Sequence, residues 1–445
     1  MLDVLPTSPD AESLRAAGVE VVRVSYVDLH GICRGKDVPV EAYDSVAEHG
    51  IAQTEAIMTI DLRHHIIAGF EHGFRDFWVI PDPATLTRLP SDPTIAWCLA
   101  DTRRRDGPFP LDPRHALRQT IAALAEHGLR AVVAPELEFY VVEPGTWGAY
   151  AARHSSVYTC GPISDPRGVV RAILRQARDL GLQPTVATQE YGRGQYEINL
   201  RHGEALESAD RSFRFKTLVK DVAAEHGLLA TFMGQLHDDD EGSGLHLHLS
   251  CLGEDGANAF ADPTAPDGLS ASARHFAAGV LAHLPALTAI LSPTVNAYRR
   301  FVVESLAPTH VNWGVDNKLA AIRVPAEGGE ATRIELRTGD GTANIHLAVA
   351  AVIAAGTDGL ARELTLPEPV TGNPYELDAA RLGRELPTTL DAALDALAAD
   401  RTIVEALGPE LCATYEQVKR YELDRWHAEL RRVTAWERDE YAHHL

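Results

Sequence analysis

Four short segments alternate chemically active and apolar residues at every second position, and they constrain the fold more than anything else in the chain. In an extended strand, residues i and i+2 share a face. In "GSGLHLHLS", His246, His248 and Ser250 therefore point one way and Leu245, Leu247 and Leu249 the other. "PELEFYVV" sets Glu136 and Glu138 against Leu137 and Phe139, and "RIELR" sets Arg333, Glu335 and Arg337 against Ile334 and Leu336. "EYGRGQYEINL" supplies Glu190, a glycine-rich turn, and Glu197 on a strand whose Ile198 faces away. Any one of these reads as a half-buried strand with its polar face in water. Four together do not, because several open polar faces in one sheet leave little for a core. They predict a sheet with one oily face and one armed face around a shared site.

The rest of the chain supplies helices and a second, smaller sheet. "VEVVRVSYVDLHGICRGKDVPV", residues 19 to 40, reads as two strands around a turn, followed by strand-like "DFWVIPDPATLTRLP" and "TIAWCLA". The polar "DTRRRDGPFPLDP" marks a linker near residue 108. Beyond it, "DPRHALRQTIAALAEHGLR" has a helical period closed by Gly128, helices alternate with strands to about residue 362, and the Ala, Leu, Glu and Arg-rich remainder reads as helices. The expected class is α+β, with units at 1–108 and 109–445.

Charge narrows the ligands. With 41 basic and 63 acidic residues the net charge is -22, which excludes a general nucleic-acid or anionic-membrane surface. The amino terminus has no basic stretch leading into an apolar run, and the five scattered cysteines have no C-x-x-C spacing, so the expectation is a cytoplasmic protein with reduced thiols. Five glutamates and a histidine on the armed faces suit hard divalent cations such as Mg²⁺ or Mn²⁺ rather than structural zinc. Residues 299 to 337 hold six basic residues against five acidic, a local surplus where an anionic substrate is expected to lie. There is no G-x-x-x-x-G-K-[ST] or G-x-G-x-x-G loop, so a nucleotide would be held through metals and arginines.

In order and spacing, "PELEFY", "GQYEINL", "GSGLHLHLS", "VNAYRRF" and "RIELRTGDGTANIHLAVAAVIAAG" resemble the glutamine synthetase family over nearly the whole chain. The resemblance implies a small β-grasp amino-terminal domain, a catalytic domain on a curved antiparallel sheet, and a homo-oligomer, a double-ring dodecamer with sites between neighbours. Carried over by motif, Glu138, Glu190 and Glu197 would hold one metal and Glu136, His246 and Glu335 a second, so ATP and two or more Mg²⁺ or Mn²⁺ are implied. His248 and Ser250 would face the nucleotide, with Arg323 and Arg333 near phosphate and Lys318 where the family usually has a phosphate-facing arginine. Arg300, Arg337 and the backbone at Gly242 would hold glutamate, with Glu138 and His246 bordering it. The implied reaction phosphorylates the γ-carboxylate of glutamate and displaces phosphate with an amine, giving an amide.

Departures from the pattern bear on the amine. Ammonia-using members carry a flap glutamate two residues before the Pro of an "E-A-P" triplet; here "VVESLAPTH" has Leu306 there, and Glu304 is the flap carboxylate left to meet a cationic amine. Their "F-D-G-S-S" element is missing, with only Asp61 near its place, and Glu241 replaces the amide residue often found before "GSG". Loss of both negative groups leaves an apolar wall that suits a bulkier organic amine. An ammonia-using glutamine synthetase and a catalytically silent ligand-sensing homologue are the alternative readings. Tyr375 lies near where some members are adenylylated, and a structural role is expected for it.

Overall fold

The computed structural model describes residues 5–6, 9–151, 154–303 and 305–441. Its larger sheet has nine strands, and the long strand Arg130–Val142 is the hub, paired antiparallel with Gly244–Leu252 on one side and Gln195–Leu200 on the other. The order continues outward through Ile334–Asp340, Ile322–Val324 and Trp313–Val315 at one end and Pro184–Gln189 at the other. The alternation read from the sequence is the burial pattern observed. Leu137, Phe139, Ile198, Leu245, Leu247, Leu249, Ile334 and Leu336 are each no more than 1% exposed.

Helices cover that oily face. Ala205–Glu225 packs on the hub strand, and Ala271–Leu291 lies against Ile345–Ala361. The last two approach so closely that a Cβ on Gly279 would sit 2.2 Å from the carbonyl oxygen of Ala355, so only glycine fits there. Ala271–Leu291 is long and apolar enough to cross a membrane, but 83% of its apolar window is buried inside the protein, as in a core helix. Asn344 caps Ile345–Ala361, accepting from the amides of His346 and Leu347.

The smaller sheet has seven strands. Val21–Val27 pairs antiparallel with Cys33–Pro39 and parallel with Ile95–Arg104, which continues to Asp76–Pro81 and Ile51–Thr54. A hairpin whose first strand lies parallel to a later one, with helix Tyr43–His49 between, is the β-grasp arrangement, and with the helix-backed larger sheet it makes the fold α+β. Long-range bonds tie this sheet to the rest. Asn344 Nδ2 donates to Asp28 O at 2.9 Å, Arg104 pairs with Glu410 at 2.7 Å on helix Pro409–Leu430, and Arg425 on that helix pairs with Asp61. Asp61 is fully buried and also accepts from the amides of Arg63 and His65. Within this chain it is thus consumed by structure.

Candidate active site

Strand register assembles the armed residues into rows. On the hub strand Glu136 stands opposite His246 of Gly244–Leu252, and Glu138 opposite Glu197 of Gln195–Leu200. One step outward, His248 stands opposite Glu335, and Glu335 opposite Arg323. Glu190 follows the end of Pro184–Gln189, held by its amide bonding to Gln195 O at 2.9 Å. All of these border one cavity of about 570 Å³.

The carboxylate end of this cavity is short of positive charge. Burial, reinforced by Glu136 and Glu138, pushes Glu197 well above the carboxylate range, and burial with Glu138 and Glu136 pushes Glu190 up to about 7. Burial also acts on Glu136, but hydrogen bonds with His246 (2.7 Å) and His248 (3.3 Å) outweigh it and hold that carboxyl well below its usual range. Arg333 Nε donates to Nδ1 of His248 at 3.2 Å, which leaves Nε2 as the donor toward Glu136. One ligand atom each from Glu136, Glu197 and His246 lie within 4.8 Å of one another. Oxygen-rich donors with one imidazole, crowded until they repel, are what a hard divalent cation satisfies.

A basic wall adjoins these carboxylates. Arg300 is buried and donates to Gly339 O at 2.8 Å, and a Cβ on Gly242 would sit 2.5 Å from Arg300 Cγ. The glycines of "GSG" are therefore the space the arginine occupies, which couples the turn to the basic wall. Arg337 pairs with Glu335 and donates from Nε to Lys318 O at 3.0 Å, while Arg323 bridges Glu335 (2.7 Å) and Asp316 (2.6 Å). Burial works against Glu335, yet His246, His248 and Arg337 keep its carboxyl below the usual range. Lys318 borders the same cavity.

Ser250 and Arg333 are on the armed face but outside the cavity lining. Ser250 Oγ is within hydrogen-bond distance of Asn258 Oδ1 (2.8 Å) and Thr332 O (3.0 Å), and Arg333 pairs with Glu327 at 3.3 Å. Leu306 borders the cavity and is 41% exposed; Val302, Tyr158 and Tyr191, each more than half exposed, line it too, as do Asp238, Asp240 and Glu241. Glu304 lies outside the described residues. Tyr375 has its hydroxyl in a hydrogen bond with Thr309 Oγ1 at 3.1 Å.

Two site residues escaped the sequence reading. Gln195 Nε2 donates to Glu138 Oε2 and to Gly242 O, both at 3.1 Å, and Asn199 Nδ2 donates to Glu136 Oε2 at 2.9 Å. Both lie at i±2 from Glu197, on the same strand face, and that spacing was the signal. Tyr140 also acts on the site, donating to Glu241 O at 2.6 Å and so pinning the residue before the "GSG" turn.

A family model for the glutamine synthetase catalytic domain matches residues 110–441. The glutamine synthetase of Thermococcus kodakarensis is 36% identical over 451 residues, spanning 96% of this chain and 98% of that one. The gamma-glutamylethanolamide synthetase GlnA4 of Streptomyces coelicolor is 35% identical over 445 residues, spanning 96% and 94%. Among solved structures, a GmaS/ADP complex superposes with a TM-score of 0.87 at 30% identity, over 99% of this chain and all of that one. The strand rows, the carboxylate-rich pocket and these likenesses converge: the chain belongs to the glutamine synthetase family, and it is an ATP-dependent ligase.

Proposed function

We propose that this ligase joins the γ-carboxylate of glutamate to an organic amine through a γ-glutamyl phosphate. The observation that carries the reading is Leu306, which borders the cavity with Val302 at the flap position where ammonia-using members of the family carry a glutamate. Glu138, Glu190 and Glu197 would hold one divalent cation and Glu136, His246 and Glu335 another. When bound, these cations neutralise phosphoryl charge. Arg300 and Arg337 orient the two carboxylates of glutamate, with Gly242 leaving room for the first of them. Arg323, Arg333 and Lys318 offset the charge that spreads over the transferring phosphoryl group, and His248 and Ser250 border the nucleotide. The γ-carboxylate oxygen forms a bond to phosphorus as the bond to ADP breaks. The amine nitrogen then bonds the acyl carbon, phosphate leaves, and the nitrogen's extra proton passes to phosphate or solvent.

A second reading, ammonia as the amine, is favoured by the 36% identity to a glutamine synthetase. Phosphate release from ATP, Mg²⁺ and glutamate separates the two, using ammonium against polyamines, ethanolamine and alkyl or aryl amines. Release with one organic amine and little with ammonium supports the proposal; release best with ammonium replaces it. Silence with every amine, despite bound ATP, would favour a ligand-sensing homologue. Leu306→Glu is expected to weaken use of organic amines, and an unchanged amine preference would remove the flap from the argument. The proposed assembly is a double-ring homo-oligomer. Leu62, Ile66 and Phe70, 54, 40 and 64% exposed, are apolar side chains that such an assembly would cover, and sedimentation velocity tests it.

A further inference from the structure

A second cavity, of about 390 Å³, lies between the turn of the Val21–Val27 hairpin, helix Ala205–Glu225 and helix Pro409–Leu430. It shares no lining residue with the substrate cavity. Three lysines line it, Lys216, Lys220 and Lys419, against one carboxylate among the described residues, Asp221. Lys419 is already matched, by Glu422 at 2.9 Å and by the ring of His30 at 3.2 Å. Lys216 and Lys220 form no carboxylate pair among the described residues.

Lys216 is 7% exposed and donates to Ala343 O at 2.9 Å. Its ammonium and that of Lys220 lie 5.4 and 5.9 Å from the Phe232 ring. One carbonyl and one ring face do not satisfy three donors and a buried charge, and an unmatched buried ammonium is costly. Burial first, then Lys220, lowers Lys216 to about 7 against the weaker opposing field of Asp340, so near neutral pH the group is poised to be recharged by an incoming negative charge. The remaining wall is apolar, with Leu29, Ile32 and Leu347 among its residues. We propose that this cavity is a second ligand site, for a compact organic anion carrying carboxylate or phosphate charge on a short apolar body. Its volume is within the range of small-molecule sites, which runs from roughly 300 to 1,000 Å³.

The site is wired to the glutamate end of the catalytic cavity. Lys216 holds Ala343, and in the same turn Gly341 N donates to Ser243 O at 3.2 Å and Asp340 stands in the field of Arg300. An anion that draws the Lys216 ammonium off Ala343 relaxes this turn, so occupancy is expected to change the KM for glutamate by roughly fivefold, with kcat less affected.

Calorimetric titration of the intact protein with succinate and, separately, inorganic phosphate tests the proposal and tells the two charge types apart. Lys220→Gln, Lys216→Met and the catalytic-cavity variant Arg337→Gln are compared. The expected result is one saturable site that survives Arg337→Gln and is weakened about tenfold, or 1.4 kcal/mol, by Lys220→Gln. Should Lys216→Met fail to fold, Lys220→Gln decides, since that side chain is exposed. Binding lost in Arg337→Gln and unchanged in Lys220→Gln overturns the proposal, as does the absence of saturable binding by either probe.

Discussion

Two buried charge clusters in this molecule look alike on a contact list and behave in opposite ways. Around Arg114, Asp210 accepts at 2.9 and 2.8 Å, Asp82 at 2.8 Å and Asp101 at 2.5 Å, while His346 Nε2 lies 2.9 Å from Asp210. Burial pushes the Asp210 carboxyl up, but His346 and Arg114 outweigh it and hold it far below the usual range. In the catalytic cavity burial likewise drives Glu190 and Glu197 up, and there the near neighbours, other carboxylates, add to the shift instead of opposing it. The first cluster brings its own counter-charges and joins the first helix after the linker to the rest of the fold. The second holds a surplus of one sign, which is useful only when something from outside completes it.

The largest expected effect tests that contrast directly. Glu197→Gln is expected to lower amine-dependent ATP turnover by roughly 100-fold or more, with thermal stability in metal-free buffer unchanged or raised, because burial and the neighbouring Glu136 and Glu138 already oppose a charge there. Asp210→Asn is expected to do the reverse, costing about 3–5 kcal/mol in urea denaturation by breaking the buried pairs that Asp210 makes with both Arg114 and His346. If Glu197→Gln proved the more destabilising of the two, the distinction between matched and surplus charge would fail. Added Mg²⁺ sharpens the point: it should raise the melting temperature of the wild-type protein and leave Glu197→Gln nearly where it was.

A third cluster makes the matching depend on pH. His283 sits between Asp400 (2.6 Å) and Asp358 (3.0 Å) in the core helix Ala271–Leu291, and Asp358 also meets Arg362 at 2.9 Å. Burial lowers its ring, but the two carboxylates outweigh that and raise it above the ordinary histidine value. A raised base contributes stability that is complete below its unfolded value, near 6.5, and is lost as pH rises through the folded value. The stability gap between wild type and His283→Gln in urea should therefore be widest in mild acid and narrow above neutrality. A gap that widens with pH would reverse the assignment.

How much of this was legible in the sequence follows from how far each feature reaches along the chain. The armed faces were readable because a strand places i and i+2 together, a rule needing only neighbouring letters. Gln195 and Asn199 obey that rule too, but amides beside Glu197 read as ordinary polar positions until their partners, Glu138 and Glu136, are in place. The Arg114 cluster was illegible for a different reason. Arg114 and Asp210 are 96 residues apart and Asp210 and His346 are 136 apart, so only the packing of three separate helices reveals the match. The pairing of Asp61 with Arg425, 364 residues away, is illegible for the same reason, since only the packing of the smaller sheet against helix Pro409–Leu430 brings them together.

The smallest expected effect completes the comparison at the surface. Arg420 meets Asp391 at 2.8 Å, Asp395 at 2.6 Å and Glu416 at 2.8 Å, a denser set of carboxylates than most buried charges here possess. Its side chain is 36% exposed and those of Asp391 and Asp395 are more than half exposed, so water and salt match these charges whether or not the arginine is there. Arg420→Ala should therefore cost about 1 kcal/mol or less in urea denaturation, and less still in high salt. A loss approaching that of Asp210→Asn would mean that the number of ionic contacts, rather than the surroundings in which they are made, sets the strength of charge clusters in this fold.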